Sequence, residues 1–366
     1  MPNLVLKNVT KIYNGNIIAL KNVSLQVLDK EYVCVIGPSG SGKSSLLKAI
    51  AGIIPIDSGD IYIDNKLVNN VPVGERRIGL VMQDILLFPH MNVWDNITYS
   101  PLVKGYDWKE VEKIGNEAIS MVNLTLRKYS YPDELSRGSQ QKAAIARAIS
   151  AGARLLLLDE PLGSIDLRTA KALRFELRKL VKELGLTAIH VTHNQEEAMS
   201  IADKIIIMRK GRVEQVGSPR DIYEHPKTPF IARFIGGETN FIEGYVDSCN
   251  SKLKIRCLDK YIVLENDDYR FVSGDRIVIA IRPEHIFIMD SKPDKINFFE
   301  GEFVEINFLG SYIRYIFDIG GYNIIVKVPR LFRKFLKKGD RAYLVFKKAY
   351  LFKYPKEGLD KAIAYE

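Results

Sequence analysis

The segment Gly37-Pro38-Ser39-Gly40-Ser41-Gly42-Lys43-Ser44 has the residue types and the spacing of a loop that holds phosphate. Glycines at this density let successive backbone N–H groups turn toward one anion, and a helix that follows adds the positive end of its dipole. A lysine at the end of such a loop reaches the β- and γ-phosphates of a nucleotide, and the next hydroxyl binds Mg²⁺. Lys43 and Ser44 stand at those two places. Far along the chain, Leu155-Leu156-Leu157-Leu158 runs into Asp159-Glu160. A carboxylate at the carboxyl end of a buried strand can orient a metal's water shell, which is the role read for Asp159. One residue further on, Glu160 can polarise an attacking water. Together the two segments describe phosphoryl transfer from a nucleotide to water.

Those groups are distant in sequence, so a scaffold has to bring them together. Tyr32-Val33-Cys34-Val35-Ile36 reads as a compact apolar strand running straight into the loop. Ser44 to Ala51 reads as a helix with Leu46, Leu47 and Ile50 on one face and Gly52 as its stop. Before them, Leu4-Val5-Leu6 and Leu25-Gln26-Val27 read as strands. Residues from about Asp84 to Ala151 read as mostly helical. Then come the strand Leu155 to Asp159, a helix over Ala170 to Leu184, and strands at Thr187 to Val191 and Lys204 to Met208. Strands alternating with helices predict a largely parallel α/β sheet interrupted by a helical insertion.

Five further segments carry a resemblance to one family. Leu135-Ser136-Arg137-Gly138-Ser139-Gln140-Gln141, ahead of a helix over Lys142 to Ser150, resembles the signature segment of ABC transporter ATP-binding subunits. Gln83 after Gly79-Leu80-Val81-Met82, His193 after Val191-Thr192, Tyr13 in Lys11-Ile12-Tyr13, and Ser164-Ile165-Asp166 match that family's other motifs in order, over residues 3 to 235. The resemblance implies a P-loop ATPase with a RecA-like core. ATP and Mg²⁺ would be held by Gly37, Pro38, Ser39, Gly40, Ser41, Gly42, Lys43, Ser44 and Ser45, with Tyr13 stacked on adenine and Ser44, Gln83 and Asp159 near the metal. Glu160, His193 and Gln83 form the catalytic set. Ser136, Gly138, Gln140 and Asp166 would serve nucleotide in a head-to-tail dimer, in which each copy's signature segment reaches the other's nucleotide. The chain departs from the pattern at Arg137, where the family usually has Gly, at Ser139, commonly Gln, and at Gly163, usually Ser. Because Ser136 and Gly138 are retained, the site is expected to remain active.

Composition bounds the rest. The 366 residues allow two or three domains, and 46% hydrophobic with 27% charged residues is ordinary globular usage. The net charge of +9 is spread over the parts before and after Gly236 rather than gathered in a basic tail, and it suits nucleotide phosphates or an anionic membrane surface equally. No nucleic-acid partner is expected. Cys34, Cys249 and Cys257 have no metal-ligand spacing and read as apolar fillers in a reducing compartment. His90, His190, His225 and His285 read as structural. No segment has the apolar length of a membrane span, so a membrane task needs a separate spanning subunit.

The pattern changes near Gly236-Gly237. Short strands rich in Ile, Val, Phe and Tyr follow, with turns at Ser273-Gly274-Asp275, Gly320-Gly321 and Lys338-Gly339-Asp340. The expected division is an ATPase domain over 1–236, with its helical subdomain over about 84–151, and a small all-β barrel of the oligonucleotide/oligosaccharide-binding type over 237–366. Ile281-Arg282-Pro283-Glu284-His285 resembles a motif of the TOBE domains appended to importers of sugars, polyamines, iron and oxyanions. The stretch Ile85 to Ile97 is similar to the importer segment that receives a permease. The resemblance therefore implies an importer subunit on the cytoplasmic membrane face, partnered by a second copy, a permease and, indirectly, a solute-binding protein, with sugars ranked first as cargo. The basic run Arg330 to Lys338 reads as a solvated helix face. Two rivals share the ATP-binding motifs: a permease-free ATPase acting on nucleic acid or ribosomes, and a regulatory subunit that binds ATP without turnover. Neither the coiled coil between the phosphate-binding motifs of repair ATPases nor the tandem ATPase units of translation factors occurs here.

Overall fold

The computed structural model describes residues 3–163, 165–265, 271–294 and 297–365, with Leu167 described by its backbone alone. They form two compact units that part between Ile222 and Tyr223. That break precedes the Gly236-Gly237 turn, because the helix Pro229–Phe234 packs with the second unit, where Ala232 joins a core with Val278, Ala280, Tyr350 and Phe352.

In the first unit, Tyr32–Ile36 is flanked in parallel by Thr187–Val191 and Lys204–Arg209, and Leu155–Asp159 and Ile78–Val81 continue the sheet in parallel on one side. Arg212–Gly217 adds an antiparallel edge. Every residue of Tyr32–Ile36, Leu155–Asp159 and Thr187–Val191 is buried. Strands covered on both faces need continuous apolar runs rather than alternation, which is how these segments read. A second, antiparallel sheet pairs Leu4–Tyr13 with Ile17–Val27 and Ser58–Ile63, and its alternating burial marks one face toward the core. The helix Lys43–Ala51 buries Leu46, Leu47 and Ile50 in the core shared with these strands. Each such side chain contributes roughly 1.5–3 kcal/mol. The helix stops at Gly52, whose φ of 83° suits glycine.

The inserted helices are Val93–Val103, Trp108–Met121 and Arg137–Ser150, closed over Val93, Trp94, Ile97, Ala118, Ile119, Ala143 and Ala146. Asn92, Asp107 and Ser136 cap their first turns, each accepting an N–H from three residues on. The cap at Ser136 starts the third helix at Arg137, five residues ahead of the expected Lys142. Asp166 likewise starts the next helix, Leu167–Glu183, ahead of the expected Ala170. Among the described residues no helix is long and apolar enough to cross a membrane.

The second unit consists of two five-stranded antiparallel sheets that curl around one core containing Ile242, Ile255, Ile279, Phe303, Tyr315, Phe317 and Leu344. Two amides, Asn240 buried and Asn297 half-buried, stitch its strands. Asn240 donates to Ile325 O at 2.8 Å and accepts the Ile325 N–H at 2.7 Å, while Asn297 treats Val263 the same way at 2.7 and 2.8 Å. Arg282 is fully buried. Its guanidinium lies 3.9 Å from the centre of the Tyr223 ring and donates to Tyr223 O and Ile235 O. Glu284 accepts the Tyr223 hydroxyl. The motif that suggested a TOBE domain thus clamps this unit's own helix end and aromatic pair.

The basic run is not a helix face. Only Arg330–Phe332 forms a single 3₁₀ turn, and Leu331 and Phe335 are 93% and 84% exposed. The buried Tyr315 hydroxyl draws the chain across the sheet by donating to Lys334 O and accepting the Lys334 N–H. Leu331, Phe332, Phe335 and Leu336 fall at helical spacing, but the first three are exposed to solvent, so no packing holds a helix there. None of the three cysteines forms a disulfide among the described residues, and Cys34 and Cys257 are buried.

Candidate nucleotide site

Packing shapes the phosphate loop. A Cβ on Gly42 would lie 2.2 Å from Ala19 O, and φ there is 99°. A Cβ on Gly37 would lie 2.2 Å from Met208 O. Gly211 donates its N–H to Ser41 O at 3.1 Å, so the adjoining hairpin pins the loop's outer limb. Lys43 is folded into the loop, donating to Gly37 O and Pro38 O at 2.8 Å each. Burial lowers its pKa, opposed by Glu160 and Asp159. A phosphate in the loop offers this ammonium a stronger acceptor than the two carbonyls.

Ser44 and Asp159 meet at 3.3 Å, hydroxyl to carboxylate. Burial raises the Asp159 pKa and the Glu160 charge adds to that, against the Ser44 hydrogen bond. A cation between them would remove that penalty, so the pair fits a divalent ion. Among the described residues no cluster of three His, Cys, Asp or Glu side chains could hold a metal unaided. A hard ion here would complete its shell from phosphate oxygens and water. Glu160 sits just past the strand in a left-handed conformation, φ 46°, with its N–H on Val191 O at 2.9 Å. Such strain in a non-glycine residue costs about 1–2 kcal/mol, and here it accompanies a contact of 3.0 Å between Glu160 Oε2 and His193 Nδ1. The histidine side chain is 66% exposed.

The structure brings Lys43, Ser44, Asp159, Glu160 and His193 together. Gln83 lies two residues past Ile78–Val81, and since Val81 pairs with Leu158 it stands at the same sheet end as Asp159 and Glu160. Its side chain is exposed and makes no contact with them among the described residues. Tyr13 is half-buried beside the loop helix, its hydroxyl 3.5 Å from Ser45 Oγ. Ser136 caps the Arg137–Ser150 helix and bonds Ser139 Oγ at 3.1 Å. Gln140 is committed to its own approach loop, donating to Pro132 O and Leu135 O at 2.6 and 3.3 Å. Asp166 caps its helix through the Thr169 N–H, which lowers its pKa. Ser164 lies outside the described residues. At Gly138 an added Cβ would meet Thr169 Cγ2 at 3.5 Å, an ordinary contact. At Gly163 the nearest atom would be Glu160 O at 3.4 Å.

Sequence reasoning passed over the support beneath His193. Thr192 and Glu197 are buried side by side, hydroxyl to carboxylate at 2.6 Å. Position offered a signal: Glu197 falls one helical turn past Asn194, at the third helical residue, where such a side chain can fold back.

Residues 20–163 match the family described as ABC transporter, and residues 279–352 match the TOBE domain. The spermidine/putrescine import ATP-binding protein PotA of Trichormus variabilis is 38% identical over 89% of this chain and 87% of its own length. The maltose/maltodextrin import ATP-binding protein MalK of Photobacterium profundum is also 38% identical, over 78% of each chain. Among solved structures, the dimeric form of MJ0796, a bacterial ABC transporter cassette, superposes with a TM-score of 0.53 at 35% identity. It covers 59% of this chain and 99% of that one.

Proposed function

This chain belongs to the ABC transporter ATP-binding subunits of the importer type that carry a TOBE domain, and from that premise we propose how its own residues carry out ATP hydrolysis and what they drive. The nucleotide triphosphate lies in the Gly37–Ser45 loop, with Lys43 released from its two carbonyls to the outer phosphates and Tyr13 against the base. Ser44 and Asp159 would hold Mg²⁺ together with the phosphates, with Gln83 near it, and the ion would supply charge neutralisation at the transferred group. Glu160 takes a proton from the attacking water while the His193 ring contacts the γ-phosphate. Catalysis is positioning and charge stabilisation, as phosphoryl transfer requires.

Ser136 and Gly138 complete the site of a second copy, and Asp166 borders that junction. Closing two copies around two nucleotides supplies the motion, and hydrolysis reverses it. A separate permease at the cytoplasmic membrane face receives the motion through Gln83 and the helical insertion over about 84–151, and a solute-binding protein delivers cargo to it. Residues 1–222 do this work, while 223–365 form the regulatory TOBE-like part. The relatives favour a polyamine or a sugar as cargo, with polyamine first, ahead of the sugar that the sequence alone suggested. The observation that carries the reading is the meeting of Ser44, Asp159, Glu160 and His193 at the mouth of the phosphate loop.

A Glu160→Gln chain, purified with ATP from its native membranes, tests it. The expected result is loss of hydrolysis by at least about 100-fold with a polytopic permease co-purifying. Recovery with nucleic acid or ribosomes and no permease would overturn the reading.

A further inference from the structure

The turn that carries His193 is held from beneath by groups the reaction above does not use. Thr192, 2% exposed, donates its hydroxyl to Glu197 Oε2 at 2.6 Å and accepts the Asn194 N–H at 3.0 Å. The Asn194 side chain accepts the Glu197 N–H at 3.0 Å, capping the helix Gln195–Ile201. Residue 193 is thus spanned by a closed ring of three hydrogen bonds that links its two neighbours to each other and both to Glu197.

Glu197 is 4% exposed, and burial raises its pKa against the Thr192 hydrogen bond and the Arg174 charge. Its second oxygen, Oε1, has no hydrogen-bond partner among the described residues. It lies 3.6 Å from His190 Nε2, which has none either. Burial lowers the His190 pKa to about 3, so the ring is neutral and the approach is not an ion pair. Arg174, 3% exposed, reaches in from the helix Leu167–Glu183 and donates to Ser200 Oγ at 3.2 Å. A buried cluster this incompletely satisfied stabilises less than apolar side chains of similar volume would. Its contribution is geometric. Glu197, Thr192 and Arg174 line one small cavity of about 170 Å³ together with Glu160 and His193.

We propose that Glu197, acting through the Thr192 hydroxyl, is a positioning residue that holds His193 over the γ-phosphate. The inference rests on the role given to His193 above. Removing the hydroxyl frees the Asn194 N–H and one Glu197 oxygen together, and the turn between them relaxes. A displacement of about 1 Å in such a group costs up to about 100-fold in rate. The phosphate loop, which sets nucleotide affinity, lies on other elements and stays as it is.

Steady-state hydrolysis and fluorescent-nucleotide binding by the full chain test this. Thr192→Val should lower kcat by about 10- to 100-fold with KM for ATP and nucleotide affinity within about twofold of wild type. Thr192→Ser should restore kcat to within about threefold, because it keeps the hydroxyl. Glu197→Gln, whose amide oxygen still accepts the Thr192 proton, should stay near wild type, and Glu197→Ala should fall like Thr192→Val. Should Thr192→Val fail to fold, the two Glu197 variants carry the test. Wild-type kcat in Thr192→Val and Glu197→Ala would overturn the inference, as would a loss that serine does not restore or a proportional rise in KM. Glu160→Gln is measured alongside. If it still hydrolyses ATP, the underlying reading has failed. If it is inactive while Thr192→Val and Glu197→Ala match wild type, only the role of Glu197 has failed.

Discussion

An added Cβ at Gly42 would sit 2.2 Å from a backbone oxygen of the same chain, whereas one at Gly138 would find its nearest neighbour, a methyl group, at 3.5 Å. Both glycines stand at helix N-termini in segments expected to touch phosphate, yet the chain itself demands only the first. The phosphate loop is complete within one molecule: strand, hairpin and helix press on it, and Lys43, Ser44 and Asp159 already meet inside it. The signature segment has a cap at Ser136 and a brace at Gln140, and Gly138 is buried beside Thr169 and Leu173, where an added Cβ would make only an ordinary contact. A glycine that its own fold does not require is free to serve a contact made by another copy. That contrast supports reading the signature segment as half of a site.

The sharpest way to break the contrast is at Gly42. Gly42→Ala forces a left-handed alanine into a backbone carbonyl and should cost more than about 3 kcal/mol, read as loss of a cooperative melting transition. Acid should act next, on the strand between the loop and the carboxylates. His190 is neutral in the fold and binds its proton below about 3, while the unfolded chain binds one near pH 6.5. The unfolded state then holds more protons between those values, so stability present above pH 6.5 falls as pH drops toward about 3. A chemical-denaturation series across that range should show a steady loss that His190→Gln flattens. Gly138→Ala should leave the melting temperature unchanged but lower hydrolysis by about 100-fold. Ser136→Ala removes a cap worth about 1 kcal/mol, and a hydrolysis defect larger than that destabilisation explains would expose its second role. Arg137→Gly should change turnover by only a few-fold. Hydrolysis appearing in that variant where wild type shows none would contradict an active native site.

The same contrast explains what could be read from residues alone. The phosphate loop and the Asp159-Glu160 strand end were legible because both lie where a fully buried strand meets the site, and burial on two faces leaves an unbroken apolar run. The strands of the second unit were legible from their Ile, Val, Phe and Tyr content between glycine turns. Helix starts at Arg137 and Leu167 were misjudged because Ser136 and Asp166 were read for their chemistry and not as caps. The 330–338 run was misread because its tether is a tyrosine hydroxyl on another strand, which no local pattern reports. Thr192 with Glu197, and the Arg282 clamp, depend on contacts across elements that spacing does not encode.

Mixing two defective chains tests the central claim most directly. Lys43→Ala disables the phosphate loop but keeps the signature segment, and Gly138→Ala does the reverse. Each alone should hydrolyse ATP poorly. If each signature segment completes the other copy's site, an equal mixture forms mixed pairs with one intact site and recovers about a quarter of wild-type hydrolysis. A mixture no more active than its components, at concentrations where the wild type pairs, would contradict the account, because the signature segment would then serve only its own chain.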